Sequence, residues 1–289
     1  MPQPPYTALI SPAQLQALIA SGAPLMVFDC SFDLAQPALG EQQYLQAHIA
    51  GAQYVHLDRH LSAGPGDQPA SGGRHPLPSR EHFAQWLASI GFANGMQAVV
   101  YDRSGSCQCA RLWWMLKWAG HDAAAVLDGG WQAWQQVGGA TAAGQEPPRA
   151  STTFALHPPL RQLVTVGEVQ SRLGSAGQTI VDARGEARYR GEVEPLDPVA
   201  GHIPGALNRP FGLNLQEDGH YKTPALLRQE FDTLLAGRPA ASVVHQCGSG
   251  VSCIPNLLAM ELAGYAPTAL FAGSWSQWCA DPARPVARG

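Results

Sequence analysis

The chain has 289 residues, of which 45% are hydrophobic and 14% are charged, and its formal net charge is −4. At roughly 150 residues per domain, this length predicts about two folded domains and excludes a disordered chain. Because the basic residues form no run and no apolar run approaches the length of a membrane span, the sequence predicts neither a nucleic-acid nor a membrane partner.

In the first half of the chain, short apolar runs alternate with helical patterns. Residues 25–29, 98–102 and 123–127 are predicted to be buried strands, and residues 81–90 and 109–119 have the spacing of helices. Strands that alternate with helices predict βαβ units, in which a parallel sheet is covered by helices on both faces.

A stretch rich in proline and glycine, residues 141–159, breaks both patterns and is predicted to link two domains. We therefore expect an N-terminal domain over residues 1–145, a linker over 146–159 and a C-terminal domain over 160–289. In the second half, residues 242–246 are predicted to be a strand and residues 254–262 a helix.

The two halves resemble each other, which indicates an internal duplication. The segment His48-Ile49-Ala50-Gly51-Ala52 recurs as His202-Ile203-Pro204-Gly205-Ala206. A set of glycines and tryptophans also recurs at one constant spacing: Gly120, Gly129, Trp131 and Trp134 correspond to Gly264, Gly273, Trp275 and Trp278. Features common to both copies favour structural roles, so we expect both histidines to bond nearby backbone and the tryptophans to be packing residues.

The copies differ after the strand at residues 242–246, where Cys247 stands in the second half and Arg103 in the first. Cys247 follows a parallel strand and precedes a glycine-containing loop and a helix, which is the usual ligand-binding edge of an α/β sheet. Backbone N–H groups and the helix dipole there would lower the pKa of a thiol, so Cys247 is the candidate nucleophile. The alternative is a tight turn with a buried, inert cysteine.

Two other cysteine chemistries fit the spacing poorly. A tyrosine-phosphatase-like loop needs an arginine six positions after the nucleophile, where this chain has Cys253. Thioredoxin-like redox chemistry needs a Cys-X-X-Cys motif, whereas Cys107 and Cys109 are separated by one residue. The six cysteines are also too few for a disulfide framework and too scattered for a zinc ribbon.

Arginines follow a predicted strand at Asp182 and should lie at the same sheet edge as Cys247. Arg184 and Arg188 are suited to grip a carboxylate or another oxyanion. For Arg190, solvation or a surface ion pair is the favoured interpretation.

Three segments carry a resemblance to the tandem-domain rhodanese superfamily: Asp182-Ala183-Arg184, residues 202–206 and the loop Cys247-Gly248-Ser249-Gly250-Val251-Ser252. The loop is very similar to the Cys-Gly-Ser-Gly-Val-Thr loop of 3-mercaptopyruvate sulfurtransferases. The resemblance implies an α/β fold of two tandem rhodanese-like domains, the first lacking the catalytic cysteine. It also implies transfer of a sulfane sulfur through a Cys247 persulfide, with no metal or organic cofactor.

The resemblance further assigns roles to individual residues. Arg188 would bind the carboxylate of the donor with Arg184 nearby, while Gly248, Gly250, Val251 and Ser252 would form the substrate-binding loop. Ser249, His75 and Asp58 match positions proposed to handle protons, which would require the loop around His75 to reach the second domain. Leu196 stands where well-known mercaptopyruvate enzymes have a second substrate-binding arginine.

The uncharged Gly248 and Ser249 favour 3-mercaptopyruvate as donor, with thiosulfate as the alternative. The expected acceptor is thioredoxin, glutathione, another thiol or cyanide. A persulfide carrier of low turnover remains a second class of function, and Cys253 is a candidate partner for a disulfide with oxidised Cys247.

Since the first basic residue is Arg59, the N-terminus has no secretory or transit pattern, and we expect a cytoplasmic protein.

Overall fold

A computed structural model describes residues 4–289 of the chain, which divide into two compact units. The first unit comprises the chain up to Gln68, together with Pro78–Leu160 and Glu217–His220. The second comprises Pro69–Leu77, Arg161–Gln216 and Tyr221–Gly289. The segment Pro69–Leu77, which includes His75, thus packs with the second unit although it lies in the first half of the sequence. The boundaries at residues 145 and 160 stay a prediction.

The first unit is built on a five-stranded parallel sheet. Its strands, in spatial order, are Leu9–Ile10, Ala124–Leu127, Gln97–Tyr101, Leu25–Asp29 and Gln53–Tyr54. Its helices are Pro12–Ala20, Leu39–Gln46, Leu57–His60, Arg80–Ser89, Cys109–Trp118 and Gly130–Gln136. Thr141–Ala142, at the start of the stretch rich in proline and glycine, forms a short antiparallel ladder with His48–Ile49.

The second unit repeats this sheet with the same connectivity. Its strands, in the corresponding order, are Gln162–Leu163, Ala269–Leu270, Val243–Gln246, Thr179–Asp182 and Leu207–Asn208, and all pairings are parallel. Its α-helices are Val166–Ser171, Glu186–Arg190, Pro224–Leu235, Ile254–Leu262 and Ser274–Trp278, with 3-10 turns at Phe211–Asn214 and Ala240–Ser242. The predicted α/β class with parallel sheets flanked by helices is confirmed.

Burial explains why the strands read as continuous apolar runs in the sequence. Every residue of Gln97–Tyr101 and of Val243–Gln246 is buried, as expected for central strands covered on both faces. The first predicted strand matches Leu25–Asp29, and the others differ from the structure by one residue at their ends. Within residues 4–289, no helix combines the length and apolar character that crossing a membrane requires.

The duplicated histidines and tryptophans have the structural roles predicted for them. His48 Nδ1 lies 2.8 Å from the Tyr44 carbonyl oxygen, and His202 Nδ1 lies at the same distance from that of Tyr189. In each unit the imidazole also stacks on the same tyrosine, with ring centroids 3.9 Å apart. The paired tryptophans are buried in the two cores.

Candidate active site

The loop that carries Cys247 leaves the central strand Val243–Gln246 at its carboxyl end and leads into helix Ile254–Leu262. Gly250 adopts a positive φ of 74°. A Cβ at this position would overlap the carbonyl group of Ala272, so both the conformation and the space require glycine. The chain can therefore curl tightly around the cysteine.

The helix Ser274–Trp278 holds the base of this loop. The backbone N–H of Trp275 donates to the Cys247 carbonyl at 3.0 Å, and that of Ser276 donates to the Gly248 carbonyl at 2.9 Å. The N–H of Cys247 itself donates to Ser274 Oγ at 3.1 Å. These bonds fix the backbone on both sides of the thiol.

Cys247 sits in an environment that favours its thiolate. Burial alone would raise the pKa of this thiol, but hydrogen bonds from the Cys253 thiol, the Ser252 hydroxyl and the backbone N–H groups of Ser249 and Val251 hold the pKa well below its usual range. Such a group is a nucleophile at neutral pH. The same bonds would stabilise negative charge on a sulfur attached to Cys247.

The first unit shows what this loop does without a cysteine. There the carboxylate of Asp102 accepts hydrogen bonds from four backbone N–H groups of the corresponding loop, at 2.9–3.0 Å: those of Ser104, Ser106, Gln108 and Cys109. In each copy the donors of the loop thus converge on one side chain, the carboxyl group of Asp102 in the first and the sulfur of Cys247 in the second. Converging backbone N–H groups of this kind favour negative charge at the point where they meet.

His75 reaches the catalytic loop from the segment Pro69–Leu77. Its Nδ1 lies 2.7 Å from Ser249 Oγ, and both side chains are buried. Gly73 allows this approach, because it has a φ of 90° and a Cβ there would overlap the carbonyl oxygen of Gly273. The structure thus brings together two of the three residues predicted to handle protons. Asp58 lies in helix Leu57–His60 of the first unit, and its role stays a prediction.

Arg188 lies beside the loop in a cluster of five ion-paired side chains, which are Arg74, Arg184, Arg188, Glu194 and Asp197. Its guanidinium bonds Glu194 Oε1 at 2.6 Å and Asp197 Oδ2 at 3.2 Å. The other oxygen of Asp197 accepts from Arg74 at 2.5 Å. Both guanidiniums also face Gly248: a Cβ on that glycine would lie 3.2 Å from Arg74 Nη2 and 3.4 Å from Arg188 Nη1.

Arg184 is placed differently from Arg188, because its guanidinium is buried and fully engaged. It bonds both oxygens of Asp182 and, at 2.7 Å, the Gly201 carbonyl, and it lies 4.8 Å from the centroid of a Trp275 ring. Its side chain is 1% exposed. The geometry therefore favours a positioning role for Arg184 over direct contact with a substrate.

The first unit holds a guanidinium at the equivalent place, although it comes from a different sequence position. Arg103, which stands where the other copy has its cysteine, bonds the Ala47 carbonyl at 2.5 Å and Asp29 Oδ2 at 3.4 Å. It also lies 4.3 Å from the centroid of a Trp131 ring. Because the unit without a nucleophile keeps this arrangement, the buried guanidinium belongs to the fold.

The acidic residues Glu194 and Asp197 and the basic residue Arg74 were not among the site residues predicted from the sequence. Arg74 directly precedes His75. Its position next to a predicted site residue could have indicated that Arg74 lies at the same site. The ion pairs of Asp197 with Arg74 join segments 123 residues apart, and no local pattern indicates such a contact. Within residues 4–289, no group of three or more histidine, cysteine or acidic side chains is arranged to hold a metal.

Replacing Cys253 tests its contribution to the thiolate. In Cys253→Ala the Cys247 thiolate loses a hydrogen-bond donor, so its pKa rises and the acidic limb of the pH profile of kcat/KM moves to higher pH. Cys253→Ser retains a hydrogen-bond donor, so the acidic limb of its pH profile should stay near that of the parent. Equal profiles for the alanine variant and the parent would contradict the assigned bond.

Comparisons with known proteins agree with this geometry. A model of the rhodanese-like domain matches residues 11–137 and 165–281. The chain is 43% identical to a probable 3-mercaptopyruvate sulfurtransferase of Pseudomonas aeruginosa, over 98% of this chain and 99% of the relative. It is 38% identical to a putative thiosulfate sulfurtransferase of Mycobacterium tuberculosis, over 97% of both chains.

A solved structure is also similar over most of the chain. The 3-mercaptopyruvate sulfurtransferase from Leishmania major superposes with a TM-score of 0.80 at 29% identity, over 96% of this chain and 75% of that one. Each domain match covers four of the five strands of one sheet together with the duplicated histidine and tryptophans of that unit, and the edge strands Leu9–Ile10 and Gln162–Leu163 directly precede the matches. The chain therefore belongs to the rhodanese family and carries two tandem rhodanese-like domains.

Proposed function

We propose that this protein is a sulfurtransferase that moves a sulfane sulfur from 3-mercaptopyruvate, through a persulfide on Cys247, to a thiol or cyanide acceptor. The observation that carries the proposal is the buried Cys247 thiol, whose pKa is lowered by donors of its own loop and which lies in a unit where arginines flank the loop. The names of the relatives from Pseudomonas and Leishmania support the same donor.

The first half-reaction begins with attack of the Cys247 thiolate on the sulfur of the donor. An S–S bond forms while the C–S bond of mercaptopyruvate breaks, and its electron pair leaves with the carbon as the enolate of pyruvate. The proton of the donor thiol is then delivered to that carbon. The hydrogen-bonded pair of Ser249 and His75 is suited to move this proton, and Asp58 is the third residue assigned to the step.

The second half-reaction restores the enzyme. A thiolate or cyanide attacks the outer sulfur of the persulfide, the S–S bond breaks and the Cys247 thiolate leaves with the bonding pair. The N–H groups that stabilise the resting thiolate also stabilise this leaving group. The covalent intermediate predicts ping-pong kinetics.

Thiosulfate is the second candidate donor, because the relative from Mycobacterium tuberculosis is named a putative thiosulfate sulfurtransferase. Thiosulfate carries two negative charges, so positive charge next to the cysteine would favour its binding. Gly248 and Ser249 are uncharged, however, and Arg74 and Arg188 are each paired with a carboxylate. We therefore expect a larger kcat/KM for 3-mercaptopyruvate than for thiosulfate. Side-by-side steady-state assays with cyanide as acceptor measure this ratio, and a preference for thiosulfate would overturn the donor assignment.

The same assay separates an enzyme from a carrier. An enzyme turns over many times, whereas a persulfide carrier takes up one equivalent of sulfur and then stops. Progress curves that end after a single equivalent with every small acceptor, including reduced thioredoxin and glutathione, would contradict the enzymatic proposal.

A cytoplasmic location is part of the proposal. Within residues 4–289 no disulfide is formed by any of the six cysteines, which are Cys30, Cys107, Cys109, Cys247, Cys253 and Cys279. Thiols that are kept reduced, one of them a nucleophile, are typical of a reducing compartment. Fractionation of the producing cells tests this location.

A further inference from the structure

Cys253 is a second thiol in direct contact with the nucleophile, and the two half-reactions use it only as a hydrogen-bond donor. Its thiol donates to the sulfur of Cys247, and the two residues are 0% and 1% exposed. Both thiols are reduced. Two reduced thiols in contact form a dithiol, which becomes a disulfide when a reaction partner takes two electrons from it.

The backbone of the loop explains why the sixth residue after the nucleophile lies next to it. Cys253 directly precedes the helix Ile254–Leu262, and Gly250, with its φ of 74°, turns the chain between the two cysteines. The loop of the first unit has the same form: the backbone N–H of Gln108, six positions after Asp102, donates to the Asp102 carboxylate at 2.9 Å. The proximity of positions 247 and 253 is thus a property of the loop backbone.

Loading with sulfur turns Cys247 from a nucleophile into an electrophile. In the persulfide, the inner sulfur is that of Cys247, and the outer sulfur can leave as hydrosulfide. Hydrosulfide is the conjugate base of a stronger acid than a cysteine thiol, so it leaves more readily than a cysteine thiolate. The thiol of Cys253 already contacts the atom that becomes the inner sulfur.

We propose that Cys253 is a resolving cysteine, which displaces the sulfane sulfur from Cys247 as hydrosulfide when no external acceptor takes it. The proposal rests on the proposed function and adds a second fate of the persulfide, the release of sulfide. The proton of the Cys253 thiol moves to the outer sulfur, and the Cys253 sulfur attacks the inner sulfur. An S–S bond forms between the two cysteines, while the bond to the outer sulfur breaks and its electron pair leaves with the hydrosulfide.

The electrons of this step balance within the loaded chain. The sulfane sulfur gains two electrons and becomes sulfide, and the two thiols lose them as they form the disulfide, so no external oxidant is needed. A dithiol reductant, the class to which reduced thioredoxin belongs, then restores both thiols. Because a thiolate and not a thiol is the nucleophile, the buried Cys253 must first lose its proton. We therefore expect the persulfide to be present directly after loading and to decay afterwards.

The test is a single turnover of the full-length chain without an acceptor. The protein is loaded with 3-mercaptopyruvate, separated from excess donor, and then followed by intact mass and by an assay of free sulfide. We expect the added sulfur to disappear while one equivalent of sulfide is released, which leaves a chain lighter than the unloaded protein by two hydrogen atoms. Tandem mass spectrometry of peptic peptides should place the new disulfide between Cys247 and Cys253. Because both thiols belong to one chain, the rate constant should not depend on protein concentration.

Cys253→Ser is the critical variant, because its hydroxyl retains the hydrogen bond but cannot form a disulfide. It should take up sulfur and then release sulfide about tenfold or more slowly than the parent. Cys279→Ser removes a further cysteine of the second unit, at the end of the helix Ser274–Trp278, and should release sulfide at the parent rate.

The outcomes separate this step from the reaction that precedes it. Release from Cys253→Ser at the parent rate, a rate constant proportional to protein concentration, or a persulfide that persists in the parent would overturn the role of Cys253. A parent that never takes up sulfur would overturn the proposed function, and the resolving step with it.

Discussion

Substitution of Cys247 by serine will lower the rate of sulfur transfer by roughly a thousandfold or more, because the hydroxyl that replaces the thiol is not ionised at neutral pH and cannot form a persulfide. The loop should keep its shape, since its bonds to Trp275 and Ser276 come from the backbone carbonyls of Cys247 and Gly248. Steady-state assays with 3-mercaptopyruvate and cyanide measure the loss.

The matched control is Cys107→Ser. Cys107 lies in the corresponding loop of the first unit, where Asp102 fills the ring of N–H donors. This variant, like Cys109→Ala at a buried helix position, should retain nearly the full rate. Transfer that persists in Cys247→Ser, or that disappears in Cys107→Ser, would show that the nucleophile is assigned wrongly.

The second large effect concerns stability. Arg184→Ser leaves the buried carboxylate of Asp182 without its guanidinium, and loss of one partner of a buried ion pair costs about 3–5 kcal/mol of unfolding free energy. Urea unfolding of the full chain, followed by far-UV circular dichroism, measures the loss of unfolding free energy against the parent.

The first unit supplies the rescue for this variant. It has Ser31 at the position of Arg184 and Arg103 at the position of Cys247, and its guanidinium bonds the equivalent aspartate, Asp29. We therefore expect the double variant Arg184→Ser with Cys247→Arg to regain most of the lost stability while remaining inactive. A double variant that is less stable than the single one would contradict the equivalence of the two guanidinium sites.

The fold was predictable because the sequence signals are local or repeated. Buried parallel strands appear as apolar runs, and the helix after Cys247 begins at Ile254, as predicted. The duplication added information that single motifs lack: the shared His48 and His202 could be assigned to backbone contacts, which is where they are found.

The candidate site was only partly predictable, since its remaining parts depend on contacts between distant segments. The approach of His75 to Ser249 followed from a resemblance and not from any pattern of residues. Arg184 and Arg188 were both predicted at the substrate site, yet Arg184, just after the strand Thr179–Asp182, turns its guanidinium into the core. Arg188, in the helix Glu186–Arg190, leaves its guanidinium partly exposed. The ion pair of Asp197 with Arg74 joins positions 123 residues apart, and no sequence periodicity relates the two.

The proposed reaction requires that Cys247 take up a single sulfur atom from the donor. The most direct test is mass spectrometry of the intact protein, and then of its peptides, after incubation with 3-mercaptopyruvate in the absence of an acceptor. We expect a gain equal to the mass of one sulfur atom, located on the peptide that contains Cys247 and removed by cyanide. An unmodified Cys247, or added sulfur on any other cysteine, would contradict it.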